Sequence, residues 1–257
     1  MLNKTYVITA AGGNGTAIRI LDKPLSRAEY AEQGKQLGQE MEKFGAEQAG
    51  FLIDSISIPH FEMAGGEFCG NAARSVAILI SRIQERQSVS FTMSGFAGVV
   101  RAFVRELSSS DYFVECVFPE LPTKTEKIDL EDGKQATIVD LGGIVHVVIE
   151  GDFPENPEEY KAKHRNFVHD LSLGNRDAVG VIWFKMAGNS VRMHPVVWVK
   201  EIDTFFYEKA CGSGTIAVAK VTGINIVIQP TGQTIEALIG KNSVTLRSEM
   251  EVVNESD

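Results

Sequence analysis

The chain has 257 residues, of which 44% are hydrophobic, enough to bury the core of one large domain or of two with about 100–150 residues each. Its net charge of −9, with Lys and Arg scattered along the chain, would repel a phosphate backbone and argues against nucleic acid as a partner. The N-terminus "MLNKTYVITAAGGNG" lacks a basic segment leading into a long apolar run, and no stretch approaches the roughly 18 apolar residues of a membrane span, so a soluble cytoplasmic protein is expected.

In chain order, "TYVITA" reads as a strand and "GGNGTAIRIL", from Gly12, as a second one. The glycine run is not a dinucleotide fingerprint, because Ile18 stands where the third glycine belongs and Pro24 follows instead of a long helix. Ser26 and Glu29 have capping-box spacing, which starts a helix near Arg27. "QAGFLI" (48–53) is a short buried strand, and "GGEFCGNAARSVA" (65–77) then sets Cys69 between a glycine-rich turn and the start of a helix. Cys116, within "YFVECVFPEL", belongs to a β run and to the core.

The second half repeats this order. "GGIVHVVIE", from Gly142, is a strand in which His146 is a plain strand residue. "NPEEYKAKHRNFVHDLSLG" is a helix with Asn156 as cap, Pro157 at its first position and Gly174 as its stop. "DAVGVI" (177–182) answers "QAGFLI", and "YEKACGSGTIAVAKVTG" repeats the Cys-Gly helix start at Cys211. The caps at 26 and 156 and the strand starts at Ala49 and Ala178 keep nearly one offset; the cysteines lie slightly further apart, which places a longer excursion within "WFKMAGNSVRMHPVVWVKEIDTFF". The acidic tail "EMEVVNESD" is expected to fray.

Three cysteines are too few and too far apart for a disulfide scaffold, and neither C-x-x-C pairs nor histidine spacing suggests a metal. A thiol at a helix start meets amides without internal acceptors and the positive end of the peptide dipoles, which can lower its pKa from about 8.5 into the range of roughly 3.5–7.5. Gly70 and Gly212 let a ligand approach the backbone, and Asn71 and Ser213 can offer side-chain caps. If the halves face each other, two thiols flank one carbon: one removes the proton of an amino acid Cα and the other delivers a proton to the opposite face. The pair must then carry opposite protonation states.

The paired "CGN" and "CGSG" motifs, with "GGN" near the N-terminus and two half-chains of similar layout, resemble the cofactor-independent racemase and epimerase family, whose familiar member is diaminopimelate epimerase. The resemblance implies an α/β fold of two pseudo-symmetric domains, each a barrel-like sheet around a central helix, with the site in the cleft between them. The boundaries are 1–118, joined by the C-terminal strand at about 244–257, and 119–243. It also implies no pyridoxal phosphate and no metal; a homodimer is the expected assembly. Carried over residue by residue, Cys69 and Cys211 are the acid/base pair, Gly70, Asn71, Gly212 and Ser213 hold the reacting carboxylate, and Asn14 lines the pocket.

Three departures narrow the substrate. No arginine lies in "KEIDTFFYEKACGSG" to clamp a distal carboxylate, the Gly-Asn-Pro-His motif reads "GGIVH" with Gly143 in place of its asparagine, and the asparagine expected upstream of Cys69 is missing, with His60 in that neighbourhood as a substrate-binding candidate. What is left resembles the histidine racemase branch, with Glu47 and Glu201 as acidic candidates for gripping an amine or imidazole. The alternatives are diaminopimelate epimerase or a racemase of another amino acid, and, in a different class, a non-catalytic amino acid-binding protein.

Overall fold

The computed structural model describes residues 4–130 and 133–256. The outermost residues of the expected domains, 1–3 and 257, lie outside the described residues. The elements run β1 (Thr5–Ala10), β2 (Gly13–Leu21), α1 (Arg27–Met41), β3 (Ala46–Ile53), β4 (His60–Met63), α2 (Gly70–Gln84), β5 (Ser88–Met93), β6 (Phe96–Glu106) and β7 (Asp111–Pro119). They continue with β8 (Lys124–Asp129), β9 (Gln135–Asp140), β10 (Val145–Glu150), α3 (Pro157–Asp170), β11 (Ala178–Ala187), β12 (Ser190–Val199), β13 (Thr204–Tyr207), α4 (Gly212–Thr222), β14 (Ile226–Ile228), β15 (Thr234–Ile239) and β16 (Ser243–Ser256).

Local chemistry sets the helix starts as expected. Ser26 and Glu29 form a complete capping box, and Asn156 Oδ1 accepts from Glu159 N at 3.0 Å with Pro157 at the first helical position. Gly174 does not stop α3. That helix ends at Asp170, the reversal falls on Ser172 at φ 53°, and Gly174 lies in a following 3-10 turn.

Among the described residues the strands join one sheet in which β1-β2-β3-β4-β5-β6-β7-β16 close on themselves through β1–β16 pairing, an eight-stranded barrel. The order continues from β16 through β15, β14, β12, β11, β10 and β9 to β8, with β13 paired to β12. Unlike the first barrel, this second run stays open: β8, at its end, pairs with β9. The fold is thus mixed α/β, rich in strands and poor in helices.

Four parallel crossovers recur among the described residues. The chain passes from β2 through α1 to a parallel β3, then from β4 through α2 to a parallel β5. It passes from β10 through α3 to a parallel β11, then from β12 through β13 and α4 to a parallel β14. The longer excursion is the β11–β12 hairpin, 10 residues per strand, together with β13.

Helix α2 packs against β1, β2, β4, β5, β6, β7 and β16, so it fills the barrel, and every residue from Gly70 to Ile80 is buried. A helix buried on all sides needs such an enclosure, and each of Val76, Ile78, Leu79 and Ile80 contributes about 1.5–3 kcal/mol by burial. Helix α4 is covered in the same way by β9, β10, β11, β14, β15 and β16. Strand β7 alternates buried Tyr112, Val114, Cys116 and Phe118 with outward residues, as a half-buried strand must. The acidic tail does not fray: β16 pairs with β7, β15 and β1 through Ser256. Residue 257 of that tail lies outside the described residues.

Candidate active site

Both cysteines are N-caps. Cys69 (φ −130°, ψ 109°) caps α2, its Sγ accepting from Ala72 N at 3.4 Å; Cys211 (φ −137°, ψ 109°) caps α4, its Sγ accepting from Gly214 N at 3.3 Å. The sulfurs therefore do the capping that the sequence suggested for Asn71 and Ser213. Asn71 Nδ2 instead donates to Ala210 O at 2.9 Å, and Ser213 Oγ lies 3.0 Å from His146 Nε2 and 3.6 Å from Cys211 Sγ.

The two helix starts touch. A Cβ on Gly212 would lie 3.0 Å from the backbone carbon of Gly70, and a Cβ on Gly70 would lie 3.3 Å from Gly212 Cα and 2.5 Å from Leu246 Cδ1. The glycines are what permits this approach. Cys69, Asn71, Cys211, Gly212 and Ser213 line one cavity of about 20 Å³, with Gln48, Glu67 and Glu208 on its wall. That volume holds about one water. It adjoins a groove of about 710 Å³ that also touches Gln48 and Phe206 and contains Asn14, Glu47 and Lys209.

The cavity is acidic and buried. Burial raises the Glu67 and Glu208 carboxyls to about 7, and Oε2 of each is buried with no hydrogen-bond partner. The Cys69 thiol is pushed up to about 12 by burial and then by Glu208, and the Cys211 thiol is raised by the same causes. This reverses the depressed thiol pKa expected at a helix start: desolvation and adjacent carboxylates outweigh the amides that face each sulfur. Cys69 Sγ donates to Gln48 Oε1 at 3.3 Å. Burial lowers His146 to about 3, so its imidazole is neutral.

Of the residues singled out from sequence, Asn14 stands in the adjoining groove, where its Oδ1 accepts from Lys209 N at 3.2 Å. Glu47 is in the same groove, its carboxyl raised by burial and lowered by Lys209. Glu201 lies in the exposed turn between β12 and β13, and His60 bonds Glu62 and Thr92, so neither reaches the cysteine cavity. The acids that do line it are Glu67 and Glu208. They precede Cys69 by two residues and Cys211 by three, so the repeat "GEFCG" and "YEKACG" carried the signal: an acid shortly before each Cys-Gly.

Among the described residues no helix is long and apolar enough to cross a membrane, and no cluster of three or more His, Cys, Asp or Glu is arranged to hold a metal ion. Comparison with known proteins gives a consistent family. Residues 11–249 match the family described as the histidine racemase CntK N-terminal domain. A histidine racemase of Fusobacterium nucleatum is 31% identical over 225 residues, covering 82% of this chain and 80% of the relative. In fold the chain is similar to a predicted epimerase from Pseudomonas aeruginosa (TM-score 0.66, 11% identity, 99% of this chain and 98% of that one). It is also similar to a probable proline racemase from Agrobacterium radiobacter (TM-score 0.63, 14% identity, 99% and 92%). The chain belongs to the family of the histidine racemase CntK N-terminal domain, and with it to the racemases among the isomerases.

Proposed function

We propose that the protein interconverts L- and D-histidine without pyridoxal phosphate, using Cys69 and Cys211 as its two bases. The observation that carries this reading is the pair of matched cysteine caps on touching helices, both facing one cavity. In one direction a thiolate takes the Cα proton and becomes a thiol, while the opposite thiol protonates the other face and becomes a thiolate. The reverse direction begins from that exchanged state, so no net proton is gained or lost. Negative charge moves onto the substrate carboxylate as the proton leaves, and the free amides at the two helix starts receive it. A preorganised donor of this kind contributes about 3–4 kcal/mol.

Glu67 and Glu208 are the partners suited to a cationic ammonium and an imidazole, since each has a buried oxygen without a partner. A second acidic group on the substrate would meet like charge, which weighs against diaminopimelate. A cavity of about 20 Å³ is too small for an amino acid. We take residues 1–118 with 244–257 and residues 119–243 as two lobes that part to admit it by way of the groove beside Gln48 and Phe206. We also take the active assembly to be a homodimer, which light scattering on a sizing column tests.

The reading is tested by incubating the full chain with L-histidine in heavy water and separating the enantiomers. D-Histidine carrying deuterium at Cα is the expected product. Strong inversion of diaminopimelate without histidine turnover overturns the substrate, and the absence of Cα deuterium across an amino acid panel overturns the catalytic reading in favour of a binding protein.

A further inference from the structure

Arg74 is among the largest side chains with no exposed surface, and its hydrogen-bond partners are all neutral. Nε donates to Gly70 O at 3.1 Å, Nη2 to Asn71 Oδ1 at 2.5 Å, and Nη1 to Ser248 Oγ on β16. A Cβ on Gly212 would lie 3.0 Å from Nη2. The guanidinium thus touches the residue that follows each active-site cysteine. Through Asn71, whose Nδ2 reaches Ala210 O, it is also tied to the residue before Cys211.

A guanidinium in a dry interior is paired as a rule, because an isolated charge there is strongly disfavoured. The thiols whose charge acts on Arg74 are, in order of size, Cys116 on β7, Cys69 on α2 and Cys211 on α4, of which the last two cap the helix starts that the guanidinium touches. Burial lowers Arg74 to about 10, which leaves it charged at neutral pH. From the cavity side Glu208 opposes ionisation of Cys69 and Cys211, and Glu67 that of Cys69.

We propose that Arg74 is the internal counter-cation of the cysteine pair, a positioning residue that fixes the spacing of the two helix starts and balances the one thiolate whichever sulfur carries it. The proposal rests on the two-thiol reading above. That mechanism needs one negative charge on the pair in both directions, and a single cation placed at the helix crossing meets this need without favouring either hand of the product. Arginine suits the position because its fork reaches three acceptors at once, which a lysine ammonium on a flexible stem does not.

The test reads the charge apart from the architecture and without substrate. In the full chain, the pH midpoint for iodoacetamide alkylation of Cys69 and Cys211 is followed by peptide mass spectrometry, with circular dichroism as the check of fold. Ser248→Asp places a carboxylate against the guanidinium and should raise the midpoint of the first thiol by at least about one pH unit, a tenfold loss of thiolate below it. The uncharged Ser248→Asn, of similar shape, should leave that midpoint in place. Arg74→Gln should act like Ser248→Asp, and Arg74→Lys should retain most of the wild-type midpoint.

Equal shifts in Ser248→Asp and Ser248→Asn, or an unchanged midpoint in folded Arg74→Gln, overturn the proposal. Should these variants not fold, thiolate absorbance near 240 nm titrated against pH in the unaltered protein decides: one equivalent ionising ahead of the other thiols supports it, and all ionising together overturns it. If the midpoints move as expected while no amino acid is racemised, the functional reading fails and the charge pairing stands.

Discussion

The two cysteine sites share one backbone design and differ in what surrounds the sulfur. Cys69 has an acceptor in reach, Gln48 Oε1 at 3.3 Å, which favours its protonated form. Cys211 has Ser213 Oγ at 3.6 Å, and Ser213 is in turn bonded to His146. His146 Nδ1 is buried without a partner. An orphaned acceptor is better tolerated than an orphaned N–H, so the imidazole proton sits on Nε2 and the serine hydroxyl is left free to donate to the Cys211 sulfur. The two sites therefore share matched backbone geometry and differ in the polar partners of the sulfur: Gln48 accepts from the Cys69 thiol, whereas at Cys211 the Glu208 carboxyl raises the thiol and Ser213 lowers it.

The comparison breaks most severely when either sulfur is removed. Cys69→Ala and Cys211→Ala should each lose at least about 10³-fold in racemisation measured by chiral chromatography. The remaining sulfur still faces one side of Cα, so each variant should exchange the Cα proton of one enantiomer with heavy water, and the two variants should differ in which. Exchange of the same enantiomer by both would show that the sulfurs do not flank the carbon.

Next in size is the helix contact. Gly212→Ala drives a Cβ against the Gly70 backbone and the Asn71 and Arg74 side chains, whereas Gly70→Ala meets first the flexible end of Leu246. A shift of a few tenths of an ångström between reacting groups should lower kcat/KM by about 10- to 100-fold in Gly212→Ala and by less in Gly70→Ala.

Smaller effects of opposite sign should separate the two environments. Gln48→Met removes the acceptor of the Cys69 thiol and should lower its alkylation midpoint; Ser213→Ala removes a donor and should raise that of Cys211. Each shift should be at most about one pH unit, the worth of one hydrogen bond. Smallest is a stability effect. Glu67, raised from 4.5 to about 7 in the fold, binds its proton more tightly folded than unfolded. It therefore weakens the fold above pH 7, and this weakening fades as the pH falls from 7 toward 4.5. Glu67→Gln should raise Tm at pH 8 and leave it near the wild-type value at pH 5, as calorimetry would show.

The local signals were legible in the sequence: Ser26 with Glu29, Asn156 with Pro157, and each Cys-Gly at a helix start all act within one helical turn. The Gly174 stop was misread because Ser172 takes the left-handed turn that glycine usually provides. Arg74 looks like an ordinary helical residue in "CGNAARSVA", and its meaning depends on Ser248, 174 positions away. The raised thiols escaped for the same reason. Helix position predicts a depressed value, while the desolvation that reverses it comes from strands and loops scattered over the whole chain.

Strand β16 follows the other strands among the described residues, yet it pairs with β1, β7 and β15, forming the barrel seam and carrying Ser248 to Arg74. During synthesis the barrel stays unsealed, and the guanidinium lacks one of its three anchors, until this segment clears the ribosome. The cysteine pocket is therefore completed only once β16 has docked, so a chain truncated before Ser243 should racemise no amino acid.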